Sequence, residues 1–342
     1  MSETQLLITC VFILSFGFSW WLFPLFIRMA RSKKVLLEDM NKFKKPKVPG
    51  LGGLALVSAF GLATTFMIST KTIFDLNSLS LELLYPALLT VFIMAFGGFV
   101  DDVLILTFRP AKIILAIVAS VPMINTFYHI KQTIFLPYLP EIHLGGFYPL
   151  LIIPLFIVFG SNAINIMADF DGLSPGNSVI ITAGLFVCAW LSGSPTGMFI
   201  FATLGGTLIV LYIFNKYPAK IFTGNIGTLF IGSVLAAGAL VSNVKLPFLI
   251  IMIPYAVHFL LQQRRSLKHK TLFKERPRER GLVSKNGELK SEYTQSYGLT
   301  HFVMIYFRRF MKVTEKRLVY SIMCIQLLFA IVAVFVHIGR IY

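Results

Sequence analysis

Apolar residues run through this chain in blocks about as long as a bilayer is thick, and polar residues collect between the blocks. A bilayer core about 30 Å thick needs roughly 20 consecutive apolar residues in a helix. Ten segments meet that length rule, at 4–27, 51–70, 83–100, 111–127, 148–167, 177–191, 198–214, 226–243, 246–263 and 318–339. A water-soluble core would need polar residues interleaved at helical or strand period. The expected fold is all-α and polytopic, with about ten transmembrane helices and small β-hairpins, in one membrane domain over 1–342. The first block lacks a basic start and a small-residue cleavage site, and Trp20 and Trp21 suit an interface. It reads as a span rather than a cleaved leader.

Charge changes the picture by orienting these spans. The net charge of +16 would suit nucleic acid, but its distribution points to a membrane. With the chain start outside and ten alternating spans, inside loops carry 27 of the 31 Lys and Arg. Eight lie in 28–47 and fifteen in 264–317, with Arg109, Lys112, Lys216 and Lys220 between; Lys71, Lys131, Lys245 and Arg340 stay outside. The positive-inside rule then predicts a cytoplasmic polar face with both termini outside. The expected partner is the lipid bilayer, and no nucleic acid. Cys10, Cys188 and Cys324 are scattered among the spans and suggest no disulfide framework or zinc site.

Four segments on the inside face carry more polar chemistry than a connector needs. "FGGFVDDVLIL" places Asp101 and Asp102 at the end of the third span, where ionised groups are costly unless solvated, paired or bound to a cation. Two acids at a helix C-terminus also oppose its dipole. "SNAINIMADFDGLSPGNS" sets Asn162 and Asn165 on one helix face, with Asp169 and Asp171 following as Gly172 and Pro175 turn the chain. An ordinary helix exit explains one or two of these side chains, hardly four in ten positions. "KIFTGNIGTLFIG" leads into the eighth span, where Gly224 and Gly227 admit close backbone approach and the helix N-terminus suits an anion. In "FKERPRERG", Arg276, Arg278 and Arg280 alternate, so an extended backbone projects them to one side, as pyrophosphate binding or a polybasic lipid surface would use them. Within the same 264–317 loop, 282–290 reads as a hairpin with a type I′ turn at Asn286-Gly287, and 297–313 as an interfacial helix. A second small hairpin is expected over 133–144, outside.

Acids and amides for Mg²⁺, Arg for phosphates and small residues for backbone approach suit phosphoryl transfer from a soluble nucleotide to a lipid. At these residues the chain resembles the polyprenyl-phosphate N-acetylhexosamine-1-phosphate transferase family, glycosyltransferase family 4. "GFVDDV" corresponds to that family's paired aspartates, "NAIN…DGL" to its Asn-x-x-Asn loop and "FTGNIGT" to its Gly-Asp motif before a span. "KPKVPGLGG" resembles the early cytoplasmic loop, and the Arg loop before "KNGELKSEY" is similar to the eukaryotic enzyme's. The similarity is strongest to the archaeal and eukaryotic branch. The resemblance implies transfer of GlcNAc-1-phosphate from UDP-GlcNAc to dolichyl or another polyprenyl phosphate, giving dolichyl-pyrophosphate-GlcNAc and UMP.

The resemblance also implies roles. Asn165 and Asn225 would hold Mg²⁺, with Mn²⁺ as the alternative ion. Asp101 and Asp102 would position or deprotonate the lipid phosphate, and Lys112 would bind phosphate. Asp171 and Phe222 would contact uracil, Asn162 would stand beside the substrate, and Arg276, Arg278 and Arg280 would grip the pyrophosphate or the sugar. The departure from the family pattern is Asn225, where an acidic residue is usual. A homodimer is compatible with this reading. The alternatives are a relative using another UDP-HexNAc donor and, from a different class, a transporter. Transporters place ionisable residues near the midplane, whereas Glu82 and Lys112 stand at span ends.

Overall fold

A computed structural model of the chain describes residues 3–74, 79–104, 110–128, 133–134, 142–143, 145–268, 282–284, 286–291 and 295–341. Helix α1 (Glu3–Ser32) leads into a hairpin of β1 (Leu36–Glu38) and β2 (Lys47–Pro49), then α2 (Gly52–Ile73) and α3 (Leu81–Leu104). Next come α4 (Pro110–Ala119), α5 (Val121–Tyr128), paired β3 (Thr133–Ile134) and β4 (Ile142–His143), and α6 (Ile153–Ile166). Helices α7 (Leu173–Leu191), α8 (Pro195–Asn215), α9 (Gly224–Val241), α10 (Lys245–Ile251) and α11 (Ile253–Lys268) follow. The chain closes with β5 (Leu282–Val283), β6 (Leu289–Lys290), α12 (Leu299–Tyr306) and α13 (Glu315–Ile341).

Among the described residues nine helices are long and apolar enough to cross a membrane, ten when the bent pair α10–α11 counts as one. The expected ten spans are therefore present, but two are interrupted. The segment 111–127 is broken between α4 and α5, where Ser120 precedes Val121 and Pro122. The segment 246–263 bends by 53° between α10 and α11. Pro254 has no N–H to give the preceding turn and disfavours helical geometry at Ile253, so the axis restarts there.

Helix α9 is the centre of the bundle, and nearly every one of its residues is buried. Helices α2, α3, α6, α7 and α8 all pack on it. Small residues let the backbones approach, as apolar surroundings favour between helices. A Cβ on Gly53 of α2 would lie 2.3 Å from the Gly227 nitrogen, and one on Gly232 would lie 2.1 Å from the Gly160 carbonyl oxygen of α6. Backbone cannot yield as a flexible side chain can. Gly53→Ala is expected to cost about 1–3 kcal/mol by overpacking and to lower the melting temperature and the yield of folded protein. Gly17→Ala on α1, where nothing lies within 4 Å of the added carbon, is expected to melt like the parent.

The hairpins are small. Strands β5 and β6 pair over Leu282–Lys290 and Val283–Leu289, but the turn is not the expected type I′. Gly287 takes φ +71° and donates its N–H to the Ser284 carbonyl, so the turn does not centre on Asn286-Gly287. The left-handed position falls on a glycine, which adopts it without a steric penalty. The expected hairpin near 133–144 is present as the β3–β4 pair. The region 297–313 holds only the short α12 and a 3₁₀ turn at Phe307–Arg309. The β1–β2 hairpin was not anticipated, because its strands are three residues each and it sits in a basic loop.

Candidate active site

The N-terminus of α9 organises the polar end of the bundle. Gly224 enters the helix at φ +67°, and a Cβ there would meet Asp102 Oδ2 at 2.7 Å. That close approach lets Asp102, from α3, accept the N–H groups of Asn225 at 2.9 Å and Ile226 at 3.0 Å. These are two of the donors a helix start leaves without partners, and the dipole there favours a carboxylate. The acid that opposes the dipole of its own helix satisfies that of another.

Asp101, one residue earlier, is buried and faces a different group. Lys112, on the first turn of α4, places Nζ 2.8 Å from Asp101 Oδ2. The ammonium lies off the hydrogen-bonding direction, so this buried oxygen is ion-paired but accepts no hydrogen bond. Lys112 Nζ also donates to Asn225 Oδ1 at 3.2 Å and to Asn165 Oδ1 at 3.4 Å. Asn165 Nδ2 in turn donates to Asn225 Oδ1 at 2.6 Å and to Thr228 Oγ1 at 2.8 Å. Three oxygens from α3, α6 and α9 thus converge on one cation. Among the described residues no group of three or more His, Cys, Asp or Glu is placed to hold a metal. The donors here are one carboxylate and two amides, a set suited to a hard cation that takes its remaining ligands from phosphate.

Asn162 shares the α6 face with Asn165, yet its amide donates to the Val158 carbonyl at 2.9 Å and to Ser161 Oγ at 3.4 Å. It is turned back onto its own helix. Phe222 is half-buried, and its backbone bridges the end of the β1–β2 hairpin and the start of α2, donating to Pro49 O at 2.8 Å and accepting from Gly52 N at 2.9 Å. Arg276, Arg278 and Arg280 lie outside the described residues.

Asp171 belongs to a second cluster that the pattern of residues did not reveal. Lys42, in the β1–β2 loop, lies 3.1 Å from Asp39, 2.8 Å from Asp171 and 2.5 Å from Glu315 at the start of α13. Asp171 also accepts the Ala219 N–H at 3.0 Å and donates its own N–H to Glu315 at 2.9 Å. Asn41 adds a hydrogen bond to the Asp169 carbonyl, and Asn215 joins Gly172 N to Ile221 O. Burial would lower the Lys42 ammonium, but Glu315 and Asp171 outweigh it and hold it above the usual lysine range. Burial lifts the Asp171 carboxyl above its ordinary value against the pull of Lys42. A cleft of about 190 Å³ opens beside this cluster, lined by Asp171, Tyr212, Lys216, Tyr217 and Lys316 among others. The sequence signal was present only as "DMNK" at 39–42, indistinguishable from any basic loop.

The cluster around Lys112 lies where known proteins can be compared. The glycosyl transferase family 4 profile matches residues 84–243, which include Asp101, Lys112, Asn165 and Asn225. A protein of Saccharolobus solfataricus is 31% identical over 313 residues, covering 90% of each chain. The chain belongs to glycosyl transferase family 4. That relative is named, provisionally, as a UDP-N-acetylglucosamine–dolichyl-phosphate N-acetylglucosaminephosphotransferase. A Sulfolobus acidocaldarius protein with the same provisional name is 32% identical over 87% of this chain and 86% of its own. The phospho-N-acetylmuramoyl-pentapeptide-transferase of Streptococcus pyogenes is 30% identical over 72% and 76%. This family 4 member is a multi-pass membrane transferase.

Proposed function

We propose that this transferase moves N-acetylglucosamine 1-phosphate from UDP-N-acetylglucosamine to dolichyl or another polyprenyl phosphate, releasing UMP. The observation that carries this reading is the convergence of Asp101, Asn165 and Asn225 on the Lys112 ammonium beside the α9 N-terminus. The names of the archaeal relatives support the donor and the acceptor. In the reaction an oxygen of the lipid phosphate attacks the β-phosphorus of the donor. The bond from that phosphorus to the bridging oxygen breaks, and UMP leaves with the electron pair.

Such a transfer needs positioning and charge neutralisation more than covalent help. Lys112 supplies a cation for the phosphates, and Asp101 fixes where that cation stands. Asp102 locks the α9 N-terminus, and with it Asn225 and Thr228, against α3. Asn165, Asn225 and Asp101 would hold a magnesium or manganese ion, whose charge would stabilise the diphosphate as it cleaves. Asp171 and Phe222 flank the donor's base, and the basic loops put this face in the cytoplasm with both termini outside. The arginines at 276, 278 and 280 complete the pyrophosphate contacts.

The test is UMP release by detergent-purified protein given a polyprenyl phosphate and a panel of UDP-sugars, including UDP-N-acetylglucosamine, other UDP-HexNAc donors and UDP-MurNAc-pentapeptide. UDP-N-acetylglucosamine is expected to be used fastest; no UMP from any donor sinks the reading. Arg276→Ala and Arg278→Ala are each expected to weaken donor affinity about tenfold or more, the loss of one charge-assisted hydrogen bond. Insertion and purification should be unaffected, and an unchanged donor KM in both variants would leave these arginines as surface charge.

A further inference from the structure

We propose that the Lys112 ammonium holds the metal's place in the donor-free protein, so that a divalent ion enters only together with the diphosphate. This rests on the donor assigned above. Lys112 Nζ lies 2.8 Å from Asp101, 3.2 Å from Asn225 and 3.4 Å from Asn165, the same three residues that would ligate the ion. The set is electrically closed as it stands. Asp101 carries one negative charge, Lys112 one positive, and both amides are neutral. The nearby Asp102 carboxylate is not one of the three, its two oxygens being engaged by the Asn225 and Ile226 N–H groups.

A divalent ion added to this arrangement would share three oxygens with an ammonium, and only one of the three belongs to a carboxylate. Two cations at hydrogen-bond range in a partly buried site repel strongly. Either the ammonium leaves or the ion stays out. Among the described residues Lys112 forms an ion pair with Asp101 and with no second carboxylate. A diphosphate changes the balance by bringing its own negative charges and oxygens. The flexible lysine stem can then swing its ammonium onto phosphate and vacate the oxygens for the metal. Asn225 makes this coupling possible, since an aspartate there would add the charge that lets a metal compete alone. The site is self-neutralised without its donor and becomes a metal site when the donor arrives.

The experiment measures Mn²⁺ binding to the detergent-solubilised protein by the loss of the free-ion electron paramagnetic resonance signal. It is run with and without saturating UDP, against a UDP–Mn²⁺ control lacking protein. The wild type is expected to bind Mn²⁺ at least tenfold more tightly with UDP than without. Lys112→Met should bind Mn²⁺ without nucleotide at least tenfold more tightly than the wild type. Asn225→Asp, which keeps the lysine, should tighten nucleotide-free binding in the same direction. Nucleotide-free binding equal to or weaker than wild type in both variants would overturn the proposal. Failure of UDP to bind at all would instead overturn the donor assignment, and the nucleotide-free comparison of the three proteins would still decide the role of Lys112.

Discussion

Asp101→Asn is expected to lower turnover at least ~100-fold while the protein still inserts, purifies as a single species and melts close to the parent, within the range seen for loss of a positioned acid or base. Asparagine keeps the shape of the side chain and removes its charge. The Lys112 ammonium 2.8 Å away then loses its only carboxylate partner among the described residues. It stays solvated enough to tolerate this, with its side chain 23% exposed, but it is no longer held against Asn165 and Asn225. The neighbouring acid should behave differently. Asp102→Ala leaves the N–H groups of Asn225 and Ile226 without acceptors at the entrance of the central helix. Loss of the acceptor at a helix start costs about 0.5–2 kcal/mol, so this variant should lose stability as well as turnover. Asp102→Asn retains one acceptor and should fall between the two in melting temperature, again without useful turnover. Paired melting curves and UMP-release rates separate the roles. Near-parental rates in Asp101→Asn would remove that residue from the chemistry.

Lys42→Met should be the most damaging substitution away from Asp101. It leaves Asp39, Asp171 and Glu315 facing one another with side chains no more than 4% exposed. Removing one partner from a buried charge cluster costs about 3–5 kcal/mol, because the remaining charges keep their desolvation penalty without compensation. The β1–β2 loop, the turn after α6 and the start of α13 lose their common tether, so donor KM should rise along with the loss of stability. Adding Glu315→Gln should recover part of the loss, and the double-mutant cycle measures the coupling. The pH response has a definite sign. Burial already raises the Asp171 carboxyl, and without Lys42 only the Ala219 N–H still opposes it. A carboxyl whose folded pKa lies above its unfolded value binds more protons in the folded state, so stability falls as pH rises between the two values. Lys42→Met should therefore melt higher as the pH is lowered from neutrality, more steeply than the parent. A pH-independent difference between the two proteins would argue against an electrostatic origin.

Much of this protein could be read along the chain, for local reasons. A membrane span is a property of about twenty consecutive residues, so apolar block length located the helices before any partner was known. Acids and amides at the ends of apolar blocks are costly, and that cost singled out Asp101, Asp102 and Asn165 without knowledge of what they touch, whereas Asn225 came from the family resemblance. The break at Ser120 and the bend at Ile253 were readable in part from Pro122 and Pro254, yet length alone concealed them.

Partnership was decided by the tertiary structure. Asp101 and Asp102 are adjacent and chemically identical, but successive helical positions point about 100° apart, so one meets Lys112 and the other the α9 N-terminus. Lys42 lies 129 residues from Asp171 and 273 from Glu315, and each looks ordinary in its own segment. Electrostatic attraction acts through space over a few ångströms, and only packing of α2, α3 and α6 around the small residues of α9 brings such distant positions within that range. The sequence determined which residues sit at the polar ends of the spans; the fold alone determined which of them share a charge.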